Sequence, residues 1–194
     1  MKRGSYELLA EVLDYPGPGL TPAVGESVLL LPEASPEAAT GLNAFQRVME
    51  TAGITRLQEL YIQTFDFRAD CSLYVGHYLF GETGRRGAFL AELSERYCER
   101  RLSVGTEIPD HLSCLLRYLA MLDAGEEAGE LIHGCLIPAI SRITAANAMA
   151  RSPYRVVLES LMVLLQHSNV NGNHVQLGEF AWTSSSSSRF PILP

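Results

Sequence analysis

LQELYIQTF, residues 57–65, places Leu57, Leu60, Tyr61, Thr64 and Phe65 at i, i+3, i+4, i+7 and i+8, the single stripe that a core-facing helix presents. A strand would need strict alternation, which is scarce anywhere in the chain. The stretch predicts a helix, and the pattern on either side of it predicts an all-α fold, a single-domain helical bundle.

Upstream, SPEAATGLNAFQRVMETAG (35–53) opens with Ser35 as N-cap and Pro36 at the first helical position, where its missing N–H costs nothing. Gly53 is its natural stop. Tyr6, Leu9, Val12 and Leu13 predict a first helix that ends at DYPGPG (14–19), where prolines remove donors. Downstream, Ser72 is placed to cap a short helix from Leu73 to Phe80, with Gly81 in the left-handed position after it. A longer helix over about 87–102 buries Phe89, Leu90, Leu93 and Tyr97, and turns Glu92, Glu95, Arg96 and Glu99 to water. Asp110 is expected to cap the next, whose apolar face carries Leu112, Leu115, Leu116, Leu119 and Leu122. The segment 126–149 starts acidic, as a helix N-terminus prefers, and Pro138 should kink or divide it. Val157, Leu158, Leu161, Met162, Leu164 and Leu165 mark a last helix over about 154–167. The helical domain is therefore expected over 1–168. Residues 169–194, with the run Ser184–Ser188, read as a flexible polar tail. No internal repeat is visible, which argues against a solenoid.

With 194 residues and 47% hydrophobic content, one compact core is expected. The formal charge of -7 gives no broad positive field for nucleic acid or an anionic membrane, and makes a basic partner electrostatically easier. Glu7, Glu11 and Asp14 interrupt the N-terminal region where an export signal needs an apolar run, and no window approaches the roughly 20 apolar residues of a membrane span. A soluble, cytoplasmic protein without membrane insertion is expected. Cys71, Cys98, Cys114 and Cys135 lie too far apart for a finger, and read as free buried thiols.

Chemistry is hard to find. No two histidines stand at H-E-x-x-H spacing, so no metal site is expected, and there is no G-x-S-x-G elbow. GETGRRG (81–87) lacks the Walker spacing and its lysine, and reads as turn punctuation. A small nucleotide-binding helical protein using that segment and His111 is the alternative to a non-enzyme.

Two segments remain unexplained by packing alone. Six of the chain's sixteen aromatic residues fall within positions 61–80, and Tyr61, Phe65, Tyr74 and Tyr78 cannot all bury their bulk around short helices without a phenol meeting water or a partner. Asp66 follows the stripe, and Arg85 and Arg86 read as a solvated pair or as partners of Glu82 and Asp66. In EIPDHL (107–112), Pro109 pushes Ile108 away from helical geometry, and His111 starts a helix whose dipole disfavours a protonated imidazole. An acid and an imidazole exposed at a helix start would make a docking point for a peptide's polar groups.

These segments carry a resemblance. Glu59-Leu60-Tyr61 with Thr64-Phe65-Asp66, then Cys71-Ser72-Leu73-Tyr74, then Gly81-Glu82-Thr83 with Arg86-Gly87 follow the pattern of the NarJ family, the molybdenum-cofactor assembly chaperones of respiratory nitrate reductase. Glu107, Asp110 and His111 match the E-x-x-D-H element of the wider group of redox-enzyme maturation proteins. The resemblance implies the all-helical NarJ/TorD-like fold. It further implies a cytoplasmic, non-enzymatic chaperone that binds the N-terminal peptide of the apo catalytic subunit of a molybdoenzyme. Such a chaperone keeps that subunit competent for insertion of the molybdenum cofactor and binds no cofactor stably itself. Under this reading Tyr61, Phe65, Tyr74, Tyr78, Asp110 and His111 contact or support the peptide, while Asp66, Arg86 and Glu107 are structural or hinge residues, Asp66 and Arg86 holding two helices in register. Glu82 and Arg117 depart from the pattern, which leaves open a sister chaperone for a selenate, chlorate or ethylbenzene type of enzyme.

Overall fold

The computed structural model describes residues 4–168; the serine-rich tail expected over 169–194 lies outside the described residues. The elements in order are α1 (Ser5–Val12), α2 (Leu20–Ala34), α3 (Pro36–Tyr61), α4 (Val75–Phe80), α5 (Gly84–Glu99), α6 (Leu112–Leu119), α7 (Glu126–Gly129), α8 (Ile137–Ala145) and α9 (Tyr154–Gln166). Among the described residues there is no strand, only an isolated antiparallel bridge between Tyr74 and His111. The fold is all-α, as the periodicity predicts.

α3 starts as its sequence prescribes, with Ser35 Oγ accepting from the Ala38 N–H at 3.4 Å and Pro36 in the first turn. Gly53 has φ 73° and ψ 166°, a conformation essentially closed to side chains bearing a Cβ, and there the helix breaks before resuming toward Tyr61. The expected stop is thus a kink between two helical arms. Leu57 and Tyr61 face the core from the second arm, and the chain then widens into a π-helical turn, Ile62–Asp66, that also buries Thr64 and Phe65.

One helix escapes the sequence reading. α2 buries Leu20, Ala23, Val24, Ser27 and Leu31 at helical spacing and packs on α1 and α3. Its stripe is interrupted by a polar residue, Ser27, and Pro22 is tolerated because it lies in the first turn, where N–H groups have no helical partner. The Pro138 expectation has a definite outcome: Glu130–Leu136 forms a π-helical stretch leading into α8, with Pro138 in the first turn of α8. Lacking an N–H and crowding the carbonyl four residues back, proline forces the preceding turn to widen.

The core runs between α3 and α9, closed by α1, α2 and α8 on their flanks, and α1 packs on α6. Arg117 of α6 pairs with Asp14 beyond the end of α1, which gives that residue a place in the fold. Glu127 gathers α5, α6 and α7, accepting from Arg96 at 2.6 Å, Arg100 at 3.1 Å and the Tyr118 hydroxyl. Glu92 and Arg96, expected to face water, are partly buried in this cluster, paired to each other at 2.9 Å. Of the four free thiols Cys71, Cys114 and Cys135 are buried; Cys98, against expectation, is exposed because it faces outward on the last turn of α5.

Candidate functional site

The two motif-bearing segments, far apart in sequence, meet edge to edge. The Val75 N–H donates to the Asp110 carbonyl at 2.9 Å and the Leu112 N–H to the Leu73 carbonyl at 2.8 Å, a two-bond extended pairing that brings 73–75 against 110–112. It satisfies backbone groups at the start of both α4 and α6, which would otherwise be buried without partners.

Asp110 sits beneath α4. Its side chain is fully buried and takes the Arg86 Nε–H at 3.0 Å on Oδ2, while Arg86 reaches Glu82 with Nη1 at 3.0 Å. Oδ1 has no hydrogen-bond partner among the described residues. Burial works against the Arg86 charge, yet the hydrogen bond and charge of Asp110 hold its guanidinium above its ordinary value. Breaking such a pair from one side leaves a buried charge behind, at a cost of about 3–5 kcal/mol. The approach requires a glycine: a Cβ on Gly76 would stand 2.6 Å from Asp110 Oδ2 and 3.3 Å from both Arg86 Cγ and Phe89 Cδ1. Tyr97 adds a bond from α5 to the Pro109 carbonyl at 2.9 Å.

The N-cap of α6 is His111, not Asp110, because the helix begins one residue later, at Leu112. Its Nδ1 accepts from the Ser113 N–H at 3.4 Å and lies 2.8 Å from Ser113 Oγ. Nor is the junction exposed: Asp110 is 0% and His111 4% accessible, since α4 and the 73–75 segment cover them. The His111 pKa is lowered, first by burial, against the raising influence of Glu107, Asp14 and Asp110. Its ring stands edge-on to Tyr74 at 5.3 Å, and the Tyr74 hydroxyl donates to Glu107 Oε2 at 3.1 Å. Burial, then the Glu107 charge, push the Tyr74 phenol up to about 12.

Tyr61 and Phe65 face inward, into a cluster rather than an open groove. Tyr61 stacks edge-on with Phe65 at 4.9 Å and Tyr154 at 5.6 Å, Phe65 meets Tyr154 at 5.1 Å, and Phe45 closes the group. The Tyr61 hydroxyl donates to the Leu13 carbonyl at 3.1 Å, joining α3 to the end of α1. Tyr78 is partly exposed, its hydroxyl held by the Ser72 carbonyl at 2.8 Å. Ser72 does not cap α4 as expected; its Oγ takes the Tyr74 N–H at 3.4 Å, closing a local turn, and Tyr74 itself stands at the cap position. The Asp66 carboxylate is exposed and makes no hydrogen bond or ion pair among the described residues; of the two partners the sequence offered, Arg86 takes Glu82, and Asp110 stands in place of Asp66.

The structure therefore brings Tyr74, Glu107, Asp110, His111 and Arg86 into one junction, with Tyr78 at its edge through Ser72, and puts Tyr61 and Phe65 in the core behind the 62–66 turn. Sequence reasoning missed Gly76, Tyr97 and Ser113, which complete the junction. Gly76 carried a readable signal, a glycine inside a short aromatic helix. It also passed over Phe67, an aromatic ring 78% exposed at the end of the π-helical turn. Among the described residues, no cluster of three or more His, Cys, Asp or Glu could hold a metal ion, and no helix is long and apolar enough to cross a membrane.

Residues 31–140, which contain the whole junction, match the family model described as nitrate reductase delta subunit. The nitrate reductase molybdenum cofactor assembly chaperones NarJ of Escherichia coli strain K12 and of Escherichia coli O157:H7 are each 27% identical to this chain over 161 residues. The matched region covers 81% of this chain and 67% of either relative.

Proposed function

The chain belongs to the nitrate reductase delta subunit family, and on that premise we propose that it is a dedicated assembly chaperone for a nitrate reductase. It binds the N-terminal segment of the apo catalytic subunit and keeps that subunit open to its cargo, the molybdenum cofactor. It acts in the cytoplasm, holds no cofactor of its own and catalyses no covalent step. The observation that carries this reading is the family match over 31–140, which spans both motif segments and the junction they build.

The geometry supports a division of labour within the site. Tyr74 and Tyr78 are partly exposed with their hydroxyls tied inward, which leaves ring surface for an apolar anchor of a bound helix. His77 and Glu82, 3.2 Å apart, form a polar rim beside them. Asp110, His111, Arg86 and Glu107 act from beneath by holding α4 against α6, while Tyr61 and Phe65 pack with Tyr154 in the core. An acidic chain receiving a basic amphipathic segment would also gain association rate from its field.

The test is a pull-down of the tagged chain from cells respiring nitrate without oxygen, with large associated polypeptides identified by mass spectrometry and assayed for molybdenum. Recovery of a metal-poor molybdoenzyme catalytic subunit is the expected result and names the client. If no such subunit is captured while the enzyme is being made, the chaperone reading fails.

A further inference from the structure

The π-helical turn Ile62–Asp66 and the 3-10 helix Asn147–Arg151 border an open cleft of about 480 Å³ that shares no residue with the junction and is lined by Leu60, Gln63, Thr64, Arg68, Asn147, Ala148, Arg151 and Ser152. Its two walls are pinned by the hydroxyls of Thr64 and Ser152, 2.9 Å apart. We propose that this cleft binds an acidic segment of a polypeptide partner, with Arg68 and Arg151 receiving a carboxylate and Leu60 and Ala148 receiving an adjoining aliphatic side chain.

Charge is the first support. In a chain with 22 acidic residues, Arg56, Arg86, Arg96, Arg100, Arg117 and Arg155 are each paired with a carboxylate. Arg68 and Arg151 line one cleft, both exposed, and neither has an ion-pair partner among the described residues. Two cations sharing a concave surface repel each other, and an anion placed between them removes that repulsion and can be gripped by the planar donors of both. The carboxylates nearest in sequence, Asp66 and Asp70, are both exposed, and among the described residues neither forms an ion pair with Arg68 or Arg151. The side-chain amides of Gln63 and Asn147 are likewise exposed and unengaged among the described residues, and complete a ring of donors.

Local backbone is the second, independent support. A π-helical turn is rare and recurs at functional sites, and here it forms one wall of the cleft. Size argues for a peptide over a lone ion, because a volume in this range accommodates several side-chain groups and the lining mixes apolar with polar groups. The source of the peptide as the client polypeptide rests on the chaperone reading; the chemistry of the cleft does not.

The experiment is an NMR titration of the full-length, isotope-labelled chain with a short, end-blocked peptide of alternating glutamate and leucine. Its glutamine-for-glutamate counterpart and inorganic phosphate serve as separate arms. Saturable shifts at Gln63, Arg68, Asn147 and Arg151 with the acidic peptide alone are expected, and a double variant, R68Q with R151Q, should weaken that binding by about tenfold or more. Since both arginines are exposed and have no ion-pair partner among the described residues, the variant's circular dichroism should match the parent's. No saturable shift, an equal response to the glutamine peptide, or phosphate competing on equal terms would each overturn the proposal. A parent chain that captures the catalytic subunit from cells yet ignores the acidic peptide sinks this inference and leaves the chaperone reading standing.

Discussion

At His111 a buried imidazole must stay uncharged to do its work. Its Nδ1 can accept from the Ser113 N–H only as a free lone pair, so the proton of the neutral ring belongs on Nε2. The pKa is lowered by burial, and Arg117 adds to this, while Glu107, Asp14 and Asp110 pull the other way. The folded value therefore lies below that of the unfolded chain, and the unfolded chain binds the proton more readily. Stability from this residue is present above the ordinary imidazole value of about 6.5 and is lost as pH falls below it. In urea unfolding compared between about pH 7.5 and about pH 5.5, H111N, which can still cap, should flatten the fall in stability seen in the parent. H111A should lose about 1 kcal/mol at the upper pH through the lost cap. An identical pH profile for parent and H111N would show that the imidazole does not titrate in this way. The identities of the junction residues were legible in the sequence, because Glu107, Asp110 and His111 stand in a recognisable spacing. Their burial was not, because it comes from the pairing of 110–112 with 73–75, a contact that leaves no periodic trace in either segment.

At the scale of elements, the crossing of α3 over α9 is set by Gly41. A Cβ there would stand 2.2 Å from Ser160 Oγ and 2.7 Å from the Val156 carbonyl, and the latter is backbone that cannot rotate aside. G41A should therefore destabilise by about 1–3 kcal/mol in spite of the gain in helix propensity. Gly25 in α2 is the control, with nothing within 4 Å of the added carbon, and G25A should stabilise by about 0.5–1 kcal/mol. Both are read as shifts in the midpoint of thermal or denaturant unfolding. A neutral G41A would mean that the two helices separate freely at this crossing. The helices themselves were legible wherever apolar spacing was clean, as in α5, α6 and α9. α2 was passed over because Ser27 occupies a core position and buries a hydroxyl without a partner among the described residues. The π-helical turns were equally hidden, since a stripe of apolar residues fits a turn of either width; only Pro138 announced one of them.

For the whole molecule the governing quantity is its charge. A formal -7 spread over 194 residues produces a field that favours a basic segment approaching from solution, and such a field acts on encounter more than on the docked complex. The apolar anchors proposed at Tyr74 and Tyr78 act afterwards, at short range, where salt screens little. The two contributions separate kinetically. With a synthetic peptide of the client's N-terminal segment, raising salt from about 0.05 to about 0.5 M shortens the screening length several-fold and should slow association by about tenfold. Dissociation should change far less, because it is governed by the apolar contacts. Y74A or Y78A should reverse the pattern, speeding dissociation while leaving the salt dependence of association in place. Stopped-flow fluorescence resolves both rates. Association that ignores salt would remove electrostatic steering from the account, and tyrosine variants with unchanged dissociation would move the apolar anchor away from α4.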